Sequence, residues 1–253
     1  MFLQMTVISI AILFAAYRVF VFHKRGEGAF VALGLALNRR SIVHLLIGLF
    51  IGAIAIASVF FAEWSVGFLQ IAKFNTMSAL TDGCLYFIAK PFIEEFAFRC
   101  AILGALLLWI HKKSIAVVLS AIIFGGLHAS NANAGFISIF STMLGGIAYG
   151  YAFIAAERIW FPVGLHIAWN YFQARVFGFI LSGQFNGSPS FIQQHGSGPA
   201  LLTGGAYGPE GGIIAIGARI LVIGLIAAWI IFERRSFRKW PYHASDDFID
   251  HVD

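Results

Sequence analysis

The stretch KPFIEEFAFR, Lys90 to Arg99, lies inside a long apolar run yet carries a lysine, two adjacent glutamates and an arginine. An ionisable side chain at the centre of a membrane span costs about 2.5–3.5 kcal/mol on insertion scales. Charges this dense in an apolar segment need a compensating arrangement. Helical spacing supplies part of it. Lys90 and Glu94 are four residues apart, as are Glu95 and Arg99, so each pair shares a helix face. Two internally neutralised ion pairs, without any chemistry, would be sufficient reason on their own. Pro91 lies between them. It removes a backbone donor and is expected to kink the helix, leaving a carbonyl free beside the charges.

The surroundings of this stretch set the fold class. Of 253 residues, 59% are hydrophobic and only 11% are charged. Soluble domains carry about 25% charged residues. The chain is therefore expected to be an all-α polytopic membrane bundle. Apolar spans are expected at about 2–22, 42–62, 80–110, 114–134, 136–156, 160–180 and 212–232, seven in all. Residues 63–79 (EWSVGFLQIAKFNTMSA) are read as an interfacial amphipathic helix or part of an eighth span. The first span lacks a cleavage site and is read as a retained helix.

Basic residues punctuate alternate connections. Lys24, Arg25, Arg39 and Arg40 follow the first span, Lys112 and Lys113 the third, Arg158 the fifth, and Arg234, Arg235, Arg238 and Lys239 the seventh. The opposite loops carry almost none, Lys73 being the clear case. The positive-inside rule then places the N-terminus outside and the C-terminus in the cytoplasm. The same distribution accounts for the net charge of +5 without any nucleic-acid partner. The organisation expected is N-terminal transmembrane helices over 1–79, a helical bundle carrying the polar residues over 80–232, and a polar cytoplasmic tail over 233–253. Cys84 and Cys100 sit in apolar surroundings and build no disulfide framework or Cys-rich zinc site. Gly146 and Gly150, in GIAYG, are spaced for close helix packing.

Two further spans present polar groups at apolar depth. IIFGGLHAS places Phe124 and His128 four apart, and VGLHIAWNYF does the same for His166 and Asn170. A lone histidine in such a helix is more often a satisfied core residue. Two histidines, an asparagine and paired glutamates are harder to explain that way, because lipid cannot solvate them. They are expected to converge on a common interior or a wet cavity. Such a set suits hydrolysis. Desolvation and a neighbouring arginine act on a carboxylate in opposite senses, and the balance can leave it able to take a proton from water. A histidine can share that water. A second histidine and an amide can stabilise an oxyanion. No GxSxG elbow and no HExxH helix occurs.

The ordered triple E-E-x-x-x-R (Glu94, Glu95, Arg99), F-x-x-x-H (Phe124, His128) and H-x-x-x-N (His166, Asn170) resembles the signature of the CPBP family. These are the CAAX proteases and bacteriocin-processing enzymes, also called the Abi family, which include the Ras-converting CAAX endopeptidases. The resemblance covers roughly residues 80–180, with weaker similarity in LTGGAYGPEGG (Leu202 to Gly212). It implies an α-helical intramembrane endopeptidase of the glutamic type, with Glu94 as the base that activates water and His128 positioning it. It implies that His166 and Asn170 form an oxyanion hole, that Glu95 and Arg99 support the first helix, and that Phe124 packs beside the site. No metal cofactor is expected, although two Glu and two His can bind zinc in principle. The partners implied are the lipid bilayer and a membrane-associated peptide or protein substrate, prenylated or not. The compact chain suggests a bacterial cytoplasmic membrane. A non-catalytic scaffold of the same fold, a zinc-dependent protease and a proton-coupled transporter are the competing readings.

Other polar residues are given structural roles. Arg175 and Arg219 fall toward the outer ends of their spans, and Glu210, in the outer loop from Ser182 to Gly212, is expected to pair with one of them. That loop is read as extracytoplasmic and partly re-entrant. His44 is expected to snorkel at the inner end of its span. His195, His243 and His251 are read as solvated. Asn131 and Asn133 are read as helix terminators.

Overall fold

A computed structural model of the protein describes residues 2–110, 112–184 and 189–236. His243, His251, Arg238, Lys239 and the polar tail beyond residue 236 lie outside the described residues. Helices occupy every segment where a span is expected. They are α1 (Phe2–His23), α3 (Arg39–Ser65), a composite third segment, α7 (Lys113–His128), α8 (Phe136–Ala156), α9 (Trp160–Tyr171) and α11 (Ile213–Ser236). The third segment runs as α5 (Cys84–Glu95), a π-type stretch Phe96–Leu103, and α6 (Gly104–Trp109). Short α2 (Ala29–Ala32), α4 (Ser78–Thr81) and α10 (Ala200–Thr203) lie in the connections.

By length and composition α3, α8 and α11 are able to cross a membrane, and Ser9–His23 and α7 are shorter apolar helices. Leu13, Phe50, Ile220 and Phe232 are exposed on the outward faces of these helices. Lipid-facing positions have this character. The protein is thus a mostly helical integral membrane protein.

Two expectations are corrected. The fold is not wholly α, and residues 63–79 form neither an interfacial helix nor an eighth span: Glu63 to Ser65 end α3, and the residues that follow enter a strand. β1 (Leu69–Phe74) pairs antiparallel with β2 (Ile192–Gly196), from Leu69 opposite Gly196 to Phe74 opposite Ile192, with an irregularity between Ile71 and Lys73. Pairing satisfies backbone groups that neither segment could satisfy alone. It also ties the connection after α3 to the long segment between α9 and α11. His195 lies exposed in β2.

The helix α9 is the centre of the bundle. From Phe161 to Asn170 every residue except Ile167 is buried, and α3, α5 and α8 surround it. Its approach to α3 is set by missing side chains. A Cβ on Gly164 would lie 2.9 Å from the Leu49 backbone nitrogen, and one on Gly52 would lie 3.0 Å from Ala168 Cβ. Gly48 faces the α9 backbone in the same way. Small residues at a four-residue spacing let two helix backbones meet closely in a membrane. Between α7 and α8 the expected glycine contact is present, with Gly146 against Ala121 and Gly150 against Val117.

At one end of the bundle, Asn38 caps α3 by accepting from the Ser41 backbone N–H at 2.9 Å. Beside it, Arg40 Nε and His44 Nε2 each lie 2.9 Å from Glu233 Oε1 at the end of α11. His44 does not snorkel. It is buried and stacked on Phe161, with ring centroids 5.4 Å apart. The Glu233 carboxylate gives its ring a polar partner inside the protein, so it need not reach for water.

The glycine-rich segment before α11 folds back onto the other end. Gly204 and Gly208 have φ of 83° and 96°, a region that other residues rarely adopt. These turns bring Glu210 inward. Its Oε1 accepts from Arg219 Nη2 at 3.2 Å, and its Oε2 accepts from the Ser182 hydroxyl at 2.6 Å and backbone N–H at 3.0 Å. Of the two arginines considered, Arg219 is therefore its partner. Arg175 instead donates to the Ala79 carbonyl at 2.6 Å and lies 3.4 Å from Asp82. Asn131, just past α7, does more than end a helix, since its amide donates to the Ser182 carbonyl at 3.0 Å.

Two outcomes are expected from thermal melts of purified variants in detergent. Gly164→Val should destabilise by about 1–3 kcal/mol or more through overpacking, whereas Gly224→Ala, where a Cβ meets nothing within 4 Å, should be neutral or stabilising. Glu210→Gln should cost about 1–3 kcal/mol of stability, the scale of a weakened charge-assisted hydrogen bond, and should lower melting more than turnover. Normal melting with lost turnover in Glu210→Gln would contradict the fastening role.

Candidate active site

Glu94 and Glu95 end α5, where the backbone widens into the π-type stretch Phe96–Leu103. Pro91 stands inside α5, three residues before Glu94. Single π turns inside α-helices frequently occur at functional sites. Consecutive residues on a helix point about 100° apart, a consequence of 3.6 residues per turn. The two glutamates consequently enter different environments.

Glu95 is fully buried. Its Oε2 lies 2.9 Å from Arg99 Nε, and its Oε1 lies 2.8 Å from His166 Nδ1. Arg99 is also fully buried, and its Nη atoms find no hydrogen-bond acceptor among the described residues. Aromatic faces take their place. The guanidinium carbon sits 5.0 Å from the Phe124 ring centroid, 5.6 Å from that of Tyr149 and 5.9 Å from that of Phe98. Such contacts stabilise a desolvated cation by about 2 kcal/mol. One carboxylate and three rings thus hold a charge that lipid could not.

Glu94 is partly open, with its side chain 22% exposed. Its Oε2 is 3.5 Å from His166 Nε2, and its Oε1 is 4.0 Å from Lys90 Nζ. The Lys90–Glu94 pair is therefore loose where the Glu95–Arg99 pair is tight. His166 lies between the glutamates, one ring nitrogen toward each. Because Glu95 is ion-paired with Arg99, Nδ1 of His166 is the donor in its 2.8 Å contact.

On α7, His128 donates from Nδ1 to the Phe124 carbonyl at 2.8 Å, which leaves its Nε2 for the cavity. Phe124 is buried, and its ring meets that of His166 edge-on at 6.1 Å. Glu94, Phe124, His128, His166 and Asn170 line one cavity together with Lys90, Tyr149 and Glu210. Glu95 and Arg99 stand behind its wall. The three motifs, separated along the chain, are therefore brought together as the sequence implies.

Tyr149, Glu210, Ser182 and Arg219 were not expected to line the cavity, yet they do. Tyr149 lies within GIAYG, whose glycines gave a packing signal that hid it. Arg219 carried a signal as a charge in an apolar helix, but its spacing along the chain could not show where it points. Among the described residues, no group of three or more His, Cys, Asp or Glu side chains is arranged to hold a metal ion.

Residues 76–172 match the family model described as type II CAAX prenyl endopeptidase Rce1-like. The match runs from α4 to the end of α9 and contains all three motifs. It agrees with the resemblance drawn from those motifs and points to a peptide hydrolase. No curated protein matches the chain.

The unequal burial of the two glutamates has a measurable consequence. Glu95→Gln should lower folding stability by about 3–5 kcal/mol, because it leaves Arg99 as an uncompensated buried charge. Glu94→Gln, at a partly open position, should stay within about 1 kcal/mol of the parent. Thermal and denaturant melts in detergent check both, and equal losses would contradict the division between them.

Proposed function

We propose that the protein is an intramembrane endopeptidase of the glutamic type. The observation that carries this reading is the cavity itself. It gathers a partly open carboxylate, two histidines and an amide, with a second carboxylate locked behind them. The match to a CAAX prenyl endopeptidase family supports the reaction class.

In this mechanism Glu94 takes a proton from water as the oxygen attacks the scissile carbonyl carbon. His128, with Nδ1 fixed on a carbonyl, presents Nε2 to the same water and orients it. The carbonyl oxygen becomes an oxyanion as the C–O bond forms. Asn170 donates to it from its amide, and His166 donates from Nε2. Collapse of the intermediate breaks the C–N bond, and Glu94 returns its proton to the leaving amine. Glu95 and Arg99 do no chemistry; they fix the His166 ring and the helix that carries Glu94.

The substrate class proposed is a membrane-associated peptide or protein, prenylated or not, cut near the bilayer of a bacterial cytoplasmic membrane. N-terminus outside and C-terminus cytoplasmic remain the orientation favoured by the loop charges. No metal takes part in this scheme. A scaffold that only binds a partner would have no need of the water-facing Glu94.

The test is cleavage of a quenched peptide library, with prenylated and unprenylated members, in detergent with chelator. Wild type should cleave, and Glu94→Gln should lose roughly 10⁴-fold or more in kcat, consistent with the loss of a residue central to a catalytic unit. Activity lost to chelator and restored by zinc would replace this mechanism with a metal-dependent one. Full activity in Glu94→Gln would overturn it outright.

A further inference from the structure

We propose that Tyr149 and Arg219 are positioning residues that hold the His166 imidazole in its working orientation, so that α11 completes the site from outside the matched segment. The proposal rests on the reading of His166 as part of the reaction centre.

A hydrogen bond from Nδ1 to Glu95 fixes one point of the imidazole, but it leaves the ring able to tilt about the Nδ1–Oε1 line. Oxyanion stabilisation needs Nε2–H aimed within a narrow cone. The tilt is stopped by Tyr149. Its ring lies against that of His166, with centroids 4.9 Å apart and planes 20° apart. Phe124 meets the imidazole edge-on, at 86°. Ring normal and ring edge are therefore both constrained.

Tyr149 is in turn fixed at its far end. Its buried hydroxyl accepts a hydrogen bond from Arg219 Nη1 at 3.0 Å. The Arg219 guanidinium carbon sits 3.5 Å from the centroid of the Trp169 ring, and Nη2 bonds Glu210 at 3.2 Å. Trp169 is three residues from His166 on α9, so Arg219 grips the helix that bears the histidine as well as the ring that stacks on it. The sequence leaves room for this cation. A Cβ at Gly145, one turn before Tyr149 on α8, would come within 3.1 Å of the Arg219 guanidinium. A continuous chain thus runs from Glu210 in the segment before α11 through Arg219 and Tyr149 to His166, and on through Glu95 to Arg99.

The test has two independent readouts. The first is the imidazole nitrogen NMR signal of His166 in protein labelled with ¹⁵N-histidine, assigned by its loss in His166→Gln. It reads ring environment and protonation whether or not any peptide is cut. The second is the split between kcat and KM on a peptide cleaved by the wild type. Tyr149→Leu should shift the His166 nitrogen signals and their pH profile, and should lower kcat by about 10- to 100-fold with KM within about twofold, the pattern of an interaction made in the transition state. Tyr149→Phe, which keeps the stacked ring, should recover most of that loss. If Tyr149→Leu fails to fold, Arg219→Lys carries the test. Lysine keeps the charge for Glu210 but cannot serve Glu210, Tyr149 and Trp169 together, and it should displace the same signals by a smaller amount. Unmoved His166 signals in the folded variants would overturn the positioning role, whatever happens to turnover. Moved signals in a protein that cuts no peptide would uphold it and count instead against the protease reading.

Discussion

The structure depends on one buried contact, Arg99 with Glu95. Neither residue could enter an apolar bundle alone, since an isolated buried charge is far more costly than a paired one. Together they form a neutral unit, and its remaining demands are met by the helices around it. The second oxygen of Glu95 is taken by His166 on α9. The guanidinium is covered by Phe124 of α7 and Tyr149 of α8. Each of these helices is thereby committed to the same centre. The ion pair is less a source of stability than a requirement that selects one arrangement of α5, α7, α8 and α9, and so fixes where the other polar residues must face.

That arrangement needs α9 to sit deep, and glycine permits it. Gly48 and Gly52 on α3 and Gly164 on α9 remove the side chains that would hold the two backbones apart. Close approach buries α9 on almost all sides and gives His166 and Asn170 walls of protein where lipid would otherwise be. Packing and chemistry are linked here in a definite order. Backbone proximity sets the depth of α9, depth places its polar side chains in the protein interior, and the lower dielectric there strengthens each of their contacts. One turn before Gly48 on α3, His44, with Arg40 and Glu233, ties α11 down. The helix that delivers Arg219 is held at both ends.

Much of this was legible in the sequence because membrane helices write their positions in hydropathy and their site residues in misplaced charge. Each of the seven apolar segments holds a helix, three of them long and apolar enough to cross a membrane, and all three motifs meet at one cavity, with Glu95 and Arg99 behind its wall. What escaped was what depends on distant pairing. LQIAKF and IQQHG are too short and too weakly alternating to declare themselves as strands, and each is a strand only because the other is present. His44 looked like an interfacial residue because nothing near it in sequence shows Glu233 at the far end of the chain. Tyr149 was masked by the glycines beside it. A tyrosine in an apolar helix carries little signal, whereas a charge there carries a great deal.

Glu94 and Glu95 show how far one residue step can divide two identical side chains. A turn of about 100° sends Glu95 into a shell of cation, imidazole and aromatic rings, and leaves Glu94 at the rim of a cavity with only loose contacts. A carboxylate that is fully buried between a guanidinium and an imidazole is out of reach of a water molecule. Its neighbour, 3.5 Å from His166 and 4.0 Å from Lys90, opens on the cavity. The tight glutamate is what allows the loose one to be useful. It holds His166 from behind, so the ring meets the cavity at a fixed angle, and it neutralises Arg99, so that cation does not draw Glu94 into a structural pair. The division of labour follows from helix geometry and the placement of one arginine, with no difference in the chemistry of the two residues themselves.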